Sequence, residues 1–311
     1  YLGYVDSASM EQPSNITWAF GFANAIGHSS TGFDSALLFD STGNDEFVSG
    51  SNESLMYYRG ATESTNRAIG FDRNYGFSAS GDDIARLHDT LGKETYLGSP
   101  ERSVLQGDNM FSWAFGFSEV EVVSSGGLDI ALLYDSEGDD EYRAEGARSH
   151  MLGSGYHNRT TVFLRNYGYA STGSDEALMY DTPFDDLYRV YDDRAIMQNI
   201  GTTEIVINSA FGFERTRGYS TVGNDRAKMY DSIGDDTYSS IDGSARFTGA
   251  TFDNYTYGFR YNEAYSLSGS DVAVMEGSSG NDNLRVRAQG LKMTYDDGVY
   301  YDVRAFDHYV A

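Results

Sequence analysis

The chain has 311 residues, 40% apolar and 14% aromatic, enough to build a packed core and too many for a disordered polypeptide. Its 47 acidic and 22 basic residues give a formal charge of −25, which disfavours nucleic acid and anionic lipid and makes cations the natural partners. The absence of Cys excludes disulfides and thiolate metal sites, and no apolar run approaches the ~20 residues that span a bilayer, so no membrane insertion is expected.

Taken in order, the chain opens inside a repeat. Tyr1 and Met10 stand nine apart, as do an aromatic residue and a Met in later units, so residues 1–33 form a partial unit. With no leader and a first residue other than Met, the chain reads as a processed or excised segment. Full repeats begin near Asp34, Asp83, Asp129, Asp175, Asp225 and Asp271, with steps of 49, 46, 46, 50 and 46 residues. The terminal unit ends at 311, and the whole of 1–311 reads as a single repeat domain.

Four landmarks recur in each repeat. An acidic residue follows the leading Asp by 11: Asp45, Glu94, Asp140, Asp186, Asp236 and Asp282. Two further on stands Phe47, Tyr96, Tyr142, Tyr188, Tyr238 or Leu284. Nine later comes Met56, Leu105, Met151, Met197, Phe247 or Met293, and 12 to 16 later Phe71, Phe117, Phe163, Phe213, Phe259 or Phe306. All length variation falls in that last interval, which is expected to be the exposed loop.

The spacing predicts an all-β fold with four strands per repeat of about 46 residues. After each leading Asp a small and a large apolar residue alternate on one face, as in Ala36/Leu38, Ala131/Leu133 and Ala227/Met229, and that face should meet the core. Gly two residues before each leading Asp, and again before most of the acidic landmarks, marks tight turns; among the latter Phe184 is the exception. Two architectures fit: a parallel β-solenoid (β-helix), expected to use two coils of about 23 residues per repeat, and a six- or seven-bladed β-propeller. The solenoid is preferred because stacking would hold each position to a narrow residue class.

The segment GFSEVEVVSSGGLDIALLYDSEGDDEY (116–142) resembles the long tandem repeats of large predicted surface or secreted proteins of planctomycetes and related bacteria, and the likeness runs along essentially the whole chain. That resemblance implies an extracellular or cell-surface location and carries no activity. GNDNL at 280–284 is more loosely similar to the Gly/Asp nonapeptide of RTX-type calcium β-rolls, although the turns here are spaced more widely than that nonapeptide allows.

Three sets of candidate site residues follow. Asp40, Asp45, Asp135, Asp139, Asp140, Asp231, Asp235, Asp236 and Asp282 put hard oxygen ligands on tight turns; they either cap backbone N–H groups or hold Ca²⁺, the one cofactor the sequence suggests. Phe39, His88, Tyr134, Tyr180 and Tyr230 form an expected aromatic column opposite the Ala/Leu face, read as a stabilising ladder or as a glycan-binding or subunit-contact strip. Sequons at Asn15, Asn52, Asn158 and Asn254 are either chance triplets or glycosylation sites.

No catalytic motif occurs, and the five histidines fall at different repeat positions, so no enzyme is expected. The preferred function is a structural module of an extracellular fibre or cell-surface layer, joined head-to-tail to copies of itself and stabilised by Ca²⁺. An adhesin or glycan-binding solenoid is the alternative, and a polysaccharide-active enzyme on a β-helix the third reading.

Overall fold

A computed structural model describes residues 1–12, 15–58 and 64–311, with Asn15 described by its backbone only. The described residues contain strands and turns and no helix, hence no helix that could cross a membrane. The chain divides into two compact units, residues 1–136 with 150–165, and 137–149 with 166–311. Each is a β-solenoid with two sheets.

The path of one repeat in the first unit shows the construction. Ser35–Phe39 lies on one sheet. The chain then crosses to the other for an antiparallel meander, Glu46–Ser49, Glu53–Tyr58 and Ser64–Ile69. It returns as Arg73–Phe77, which pairs in parallel with Ser35–Phe39, Ser35 facing Arg73. The next repeat starts as Ile84–His88 on the opposite sheet, parallel to Glu46–Ser49. Its meander, Thr95–Gly98, Arg102–Gly107 and Met110–Phe115, therefore falls on the first sheet. There Met110–Phe115 joins Arg73–Phe77 and Thr95–Gly98 joins Ile130–Tyr134.

The second unit repeats the plan. Glu176–Tyr180 pairs in parallel with Arg215–Tyr219, and Arg215–Tyr219 with Asp253–Tyr257. The meanders are Asp185–Val190, Arg194–Ile200 and Ile207–Phe211, then Thr237–Ile241, Ser244–Thr248 and Asp253–Tyr257.

Two sequence expectations are corrected by this path. A repeat has five strands rather than four, because a further strand follows the Phe landmark, as Arg73–Phe77 follows Phe71. Parallel partners such as Ile84 with Glu119, and Glu176 with Arg215, are separated by more chain than the short coil expected from the repeat, so two coils per repeat do not occur. One repeat makes three half-turns, and leading strands of consecutive repeats lie on opposite sheets. Parallel pairing from coil to coil excludes the propeller.

The interval between the Met and Phe landmarks is also mostly strand. In the second unit its extra length is confined to residues 201–206, where the Asn199 side chain donates to Thr202 Oγ1 (3.1 Å) and Glu204 O (3.0 Å) and accepts from Val206 N (2.8 Å). The other long interval includes 59–63, outside the described residues.

The core is the face the alternation marked. Ala36, Leu38, Ala85, Leu87, Ala131, Leu133, Ala177, Met179, Ala227 and Met229 are fully buried. The aromatic landmarks Phe47, Tyr96, Tyr142, Tyr188 and Tyr238 are buried with them, whereas Leu284 is exposed. Each packs on the Phe landmark of a later repeat: Phe47 on Phe117, Tyr96 on Phe163, Tyr142 on Phe213, Tyr188 on Phe259 and Tyr238 on Phe306, with ring centroids 5.7 to 6.5 Å apart. Gly168 and Gly218 lie against the rings of Tyr142 and Tyr188, where a Cβ would overlap the aromatic carbons.

The G-x-D turns stack by a different device. Gly127 has φ 117° and sits over the carbonyl oxygen of Gly92 so closely that a Cβ would overlap it. Gly81 over Gly43, Gly173 over Gly138 and Gly269 over Gly234 repeat the contact. The glycine before each leading Asp is thus explained from Gly81 onward: it needs the left-handed region and lacks room for a side chain, whereas the lower glycine offers only its carbonyl oxygen. Phe184 is tolerated because Gly223 meets only its backbone oxygen.

Candidate functional site

The acidic turns are densely hydrogen-bonded, and most of their carboxylates are buried. In D-S-x-G-x-D the second acidic side chain accepts from the Ser or Thr four residues before it. Asp45 takes Ser41 N and Oγ (2.6 and 2.7 Å), Asp186 takes Thr182 N and Oγ1 (2.9 and 2.8 Å), and Asp236 takes Ser232 N and Oγ (2.7 and 2.9 Å). The backbone N–H of that same residue donates to the next leading Asp: Asp45 to Asp83 (2.5 Å), Glu94 to Asp129 (2.7 Å), Asp140 to Asp175 (2.8 Å), Asp186 to Asp225 (2.6 Å) and Asp236 to Asp271 (2.8 Å).

The first Asp of the motif reaches across coils as well. Asp40 accepts from Ala79 N and Ser80 N (2.7 and 3.1 Å), Asp89 from Ser125 N (2.6 Å), and Asp231 from Leu267 N and Ser268 N (2.6 and 3.0 Å). Asp139 and Asp235 are exposed, and each accepts one amide, from Ser174 and Ser270 at 2.9 and 2.8 Å. Asp282 is exposed and accepts from Ser278 Oγ (2.7 Å). Asp135 follows the strand Ile130–Tyr134 and is half-buried. These bonds fit the capping expectation: carboxylates satisfy turn amides one coil away, as charge-assisted bonds of roughly 1.5–3 kcal/mol each.

Capping does not use every oxygen. Asp89, Glu94 and Asp129 bring one carboxylate oxygen each within 4.8 Å of one another in the first unit, and Asp231, Asp236 and Asp271 do so in the second; all six are buried. Asp89 Oδ2, Glu94 Oε2, Asp231 Oδ1 and Asp236 Oδ1 have no hydrogen-bond partner. Two charges ~4.8 Å apart repel by ~3.5 kcal/mol at an effective dielectric constant near 20. Burial pushes the carboxyls of Asp89, Glu94, Asp231 and Asp236 above the ordinary range, and the neighbouring carboxylates push the same way. Of these six residues the sequence pointed only to Asp231 and Asp236. Asp129 and Asp271 looked like turn formers because the chain carries them a full coil beyond Glu94 and Asp236, whose amides they hold.

The expected aromatic column is not a single column. Since leading strands alternate between sheets, Phe39, Tyr180 and Tyr230 stack on rings from other strands. Phe39 lies between Tyr4 (4.6 Å) and Phe77 (4.9 Å). Tyr180 begins the ladder Tyr180–Tyr219–Tyr257, at 4.7 and 5.1 Å, and Tyr230 is central in Tyr191–Tyr230–Tyr265, at 4.5 and 5.2 Å. His88 is exposed at the end of its strand, and Tyr134 is half-buried at the end of Ile130–Tyr134. Sequence spacing gave the outward face; the partners were missed because the half-turn phase is not written in any one repeat.

Two sequons lie where a glycan has no room. Asn158 and Asn254 are 2% and 1% exposed, on strands rather than in a loop. Asn158 donates to Ser99 O (3.0 Å) and accepts from Tyr96 OH (3.2 Å) and Ser103 Oγ (3.1 Å). Asn254 donates to Tyr191 O (2.9 Å) and accepts from Thr216 Oγ1 (2.6 Å). Asn52 is exposed in a turn, and the Asn15 side chain lies outside the described residues. The structure also joins two histidines that the sequence left apart: the His150 and His157 rings meet edge-on at 5.1 Å, and burial holds His157 below the usual imidazole range.

The first unit carries an open polar hollow of about 520 Å³ bordered by Phe33, Asp72, Arg73, Lys93 and Phe111. Of its two carboxylates, Asp72 and Asp108, Asp72 is occupied by the Asp34 N–H (2.7 Å), and Arg73 lies over the Phe33 ring at 4.6 Å. No family model matches the chain, and no curated protein is found that resembles it.

Proposed function

We propose that this protein is a structural module of an extracellular fibre or cell-surface layer, associating head-to-tail with copies of itself, and not an enzyme. The observation that carries the reading is the double linkage between coils. Carboxylates hold the amides of neighbouring turns, and aromatic rings outside the core stack from strand to strand. A stack so linked resists shear between its layers, which suits a load-bearing scaffold. Its net charge of −25 keeps chains apart except where their surfaces match, and accords with an ion-rich setting.

The outermost strands supply such surfaces. Asn15–Phe20 is paired with Ser7–Gln12, and its Ile16, Trp18 and Phe20 are exposed; Asn283–Arg287 is paired with Gly290–Thr294, and its Leu284 and Val286 are exposed. An edge of this kind accepts a further strand. Negative-stain microscopy at two protein concentrations tests the reading, with filaments lengthening at the higher one. Monodisperse particles at both concentrations would refute it.

A second reading, a glycan-binding adhesin, draws on the half-buried ladder Tyr180–Tyr219–Tyr257 outside the core, whose rings cover one another's faces and leave their edges and hydroxyls for a sugar. Glycan binding by monodisperse protein, lost in Tyr219→Ser, would select it.

A further inference from the structure

We infer that Asp89/Glu94/Asp129 and Asp231/Asp236/Asp271 are two calcium sites, one in each unit, each tying a turn to the coil beside it. This does not depend on the scaffold reading, since it rests on oxygen placement alone. Each group brings one oxygen from each of three buried carboxylates within 4.8 Å. Two carboxylates in each group also hold an unpartnered oxygen on a side chain more than nine-tenths buried: Asp89 and Glu94 at 8% and 2% exposure, Asp231 and Asp236 at 7% and 2%.

The remaining oxygens are already assigned. Asp231 Oδ2 holds Leu267 and Ser268 N–H, Asp236 Oδ2 holds the Ser232 N–H and hydroxyl, and Asp271 holds Asp236 N–H and Ser266 Oγ. Asp129 accepts from Glu94 N–H and Ser124 Oγ in the same way. Six amides or hydroxyls thus fix the three carboxylates of the second group before any ion arrives, and the oxygens left over have no donor to face. A buried anion without a donor calls for a cation.

The chemistry of the donors selects the ion. All ligands are hard carboxylate oxygens, which excludes a preference for soft metals. The two unpartnered oxygens and the lone pairs left on the third carboxylate form an irregular set, which Ca²⁺ accepts; Mg²⁺ requires a near-octahedral shell and keeps its waters, for which a buried turn has little room. Asp129 and Asp271 come from the coil beyond the turn that supplies the other two ligands, so an ion in either site cross-links coils that the chain itself joins only through a whole turn.

The test is calcium titration of chelator-stripped protein at pH 7.5 by calorimetry, with thermal unfolding in parallel. At least two calcium ions should bind per chain and raise the melting temperature by several degrees. Asp231→Asn with Asp236→Asn should remove one ion and Asp89→Asn with Glu94→Gln the other. Both pairs should keep a wild-type far-ultraviolet spectrum and melt, without calcium, no lower than the stripped parent, because like charges have been removed. Absence of calcium binding at millimolar calcium would overturn the inference. So would binding that keeps full stoichiometry in both pair variants, which would assign it to the acidic surface at large.

Discussion

Asp186 offers a direct reading of what a buried turn carboxylate does to stability. Its Oδ2 accepts from Thr182 N and Oγ1, its own N–H donates to Asp225, and its Oδ1 has no partner. Burial, followed by the charges of Asp225 and Asp181, raises its pKa from 3.8 to about 6. Below pH 3.8 the folded and unfolded chains both hold the proton. Between 3.8 and about 6 only the folded chain keeps it, so stability falls as pH rises through that window, and the loss is complete above it. At about 1.36 kcal/mol per pH unit the interval amounts to roughly 3 kcal/mol. Asp186→Asn removes the titration and relieves Asp225, which burial also raises. The variant should therefore gain about 2.4 kcal/mol on the parent between pH 4 and pH 7.5, on top of any constant offset from the new amide. Urea unfolding at several pH values, with amide exchange in Asp185–Val190 as the local probe, measures it. Parallel stability–pH curves for the two proteins would refute the reasoning.

Gly126 and Gly127 both have φ near 120°, but only Gly127 faces a carbonyl oxygen, that of Gly92. Gly127→Ala should cost about 3 kcal/mol or more and Gly126→Ala about 1–2 kcal/mol from backbone strain alone, as read by urea unfolding. Tyr219→Ser removes both contacts of the ladder Tyr180–Tyr219–Tyr257 and should cost ~1–3 kcal/mol, while the neighbouring Tyr255→Ser should cost less. Asn254→Ala leaves Tyr191 O without its amide donor and the Thr216 hydroxyl without its acceptor, while Tyr188 OH still donates to Thr216, and should cost about 1–3 kcal/mol. Folded protein secreted from a glycosylating host should carry no glycan at Asn158 or Asn254, with Asn52 open to modification; peptide mass mapping reads this directly.

Much of the fold was legible because solenoid strands obey local rules. Alternation in Ala36/Leu38 and its equivalents marked the buried face, and every one of those side chains in the first five repeats is buried. The glycines before the leading Asp residues marked turns, and their positive φ values, with the close approaches from Gly81 onward, bear that out. The fifth strand of each repeat was missed because Arg73–Phe77 and its counterparts follow a turn of a few residues centred on the Phe landmark and looked like part of one element. The sequons misled because Asn in N-x-T is read as a surface residue, while here Asn158 and Asn254 are interior donors to carbonyls of distant strands.

Sequence alone determined composition class, the repeat, the inward face and the turns, since each depends on residues within a dozen positions of one another. Tertiary structure decided the phase. Because a repeat makes three half-turns, equivalent residues of neighbouring repeats face opposite sheets, and a side chain meets partners a whole coil away along the chain, as Ile84 meets Glu46 and Glu119. That offset is the sum of turn lengths and meander returns, which no single repeat encodes. It alone places Asp271 beside Asp231 and Asp236, and Tyr219 on Tyr180.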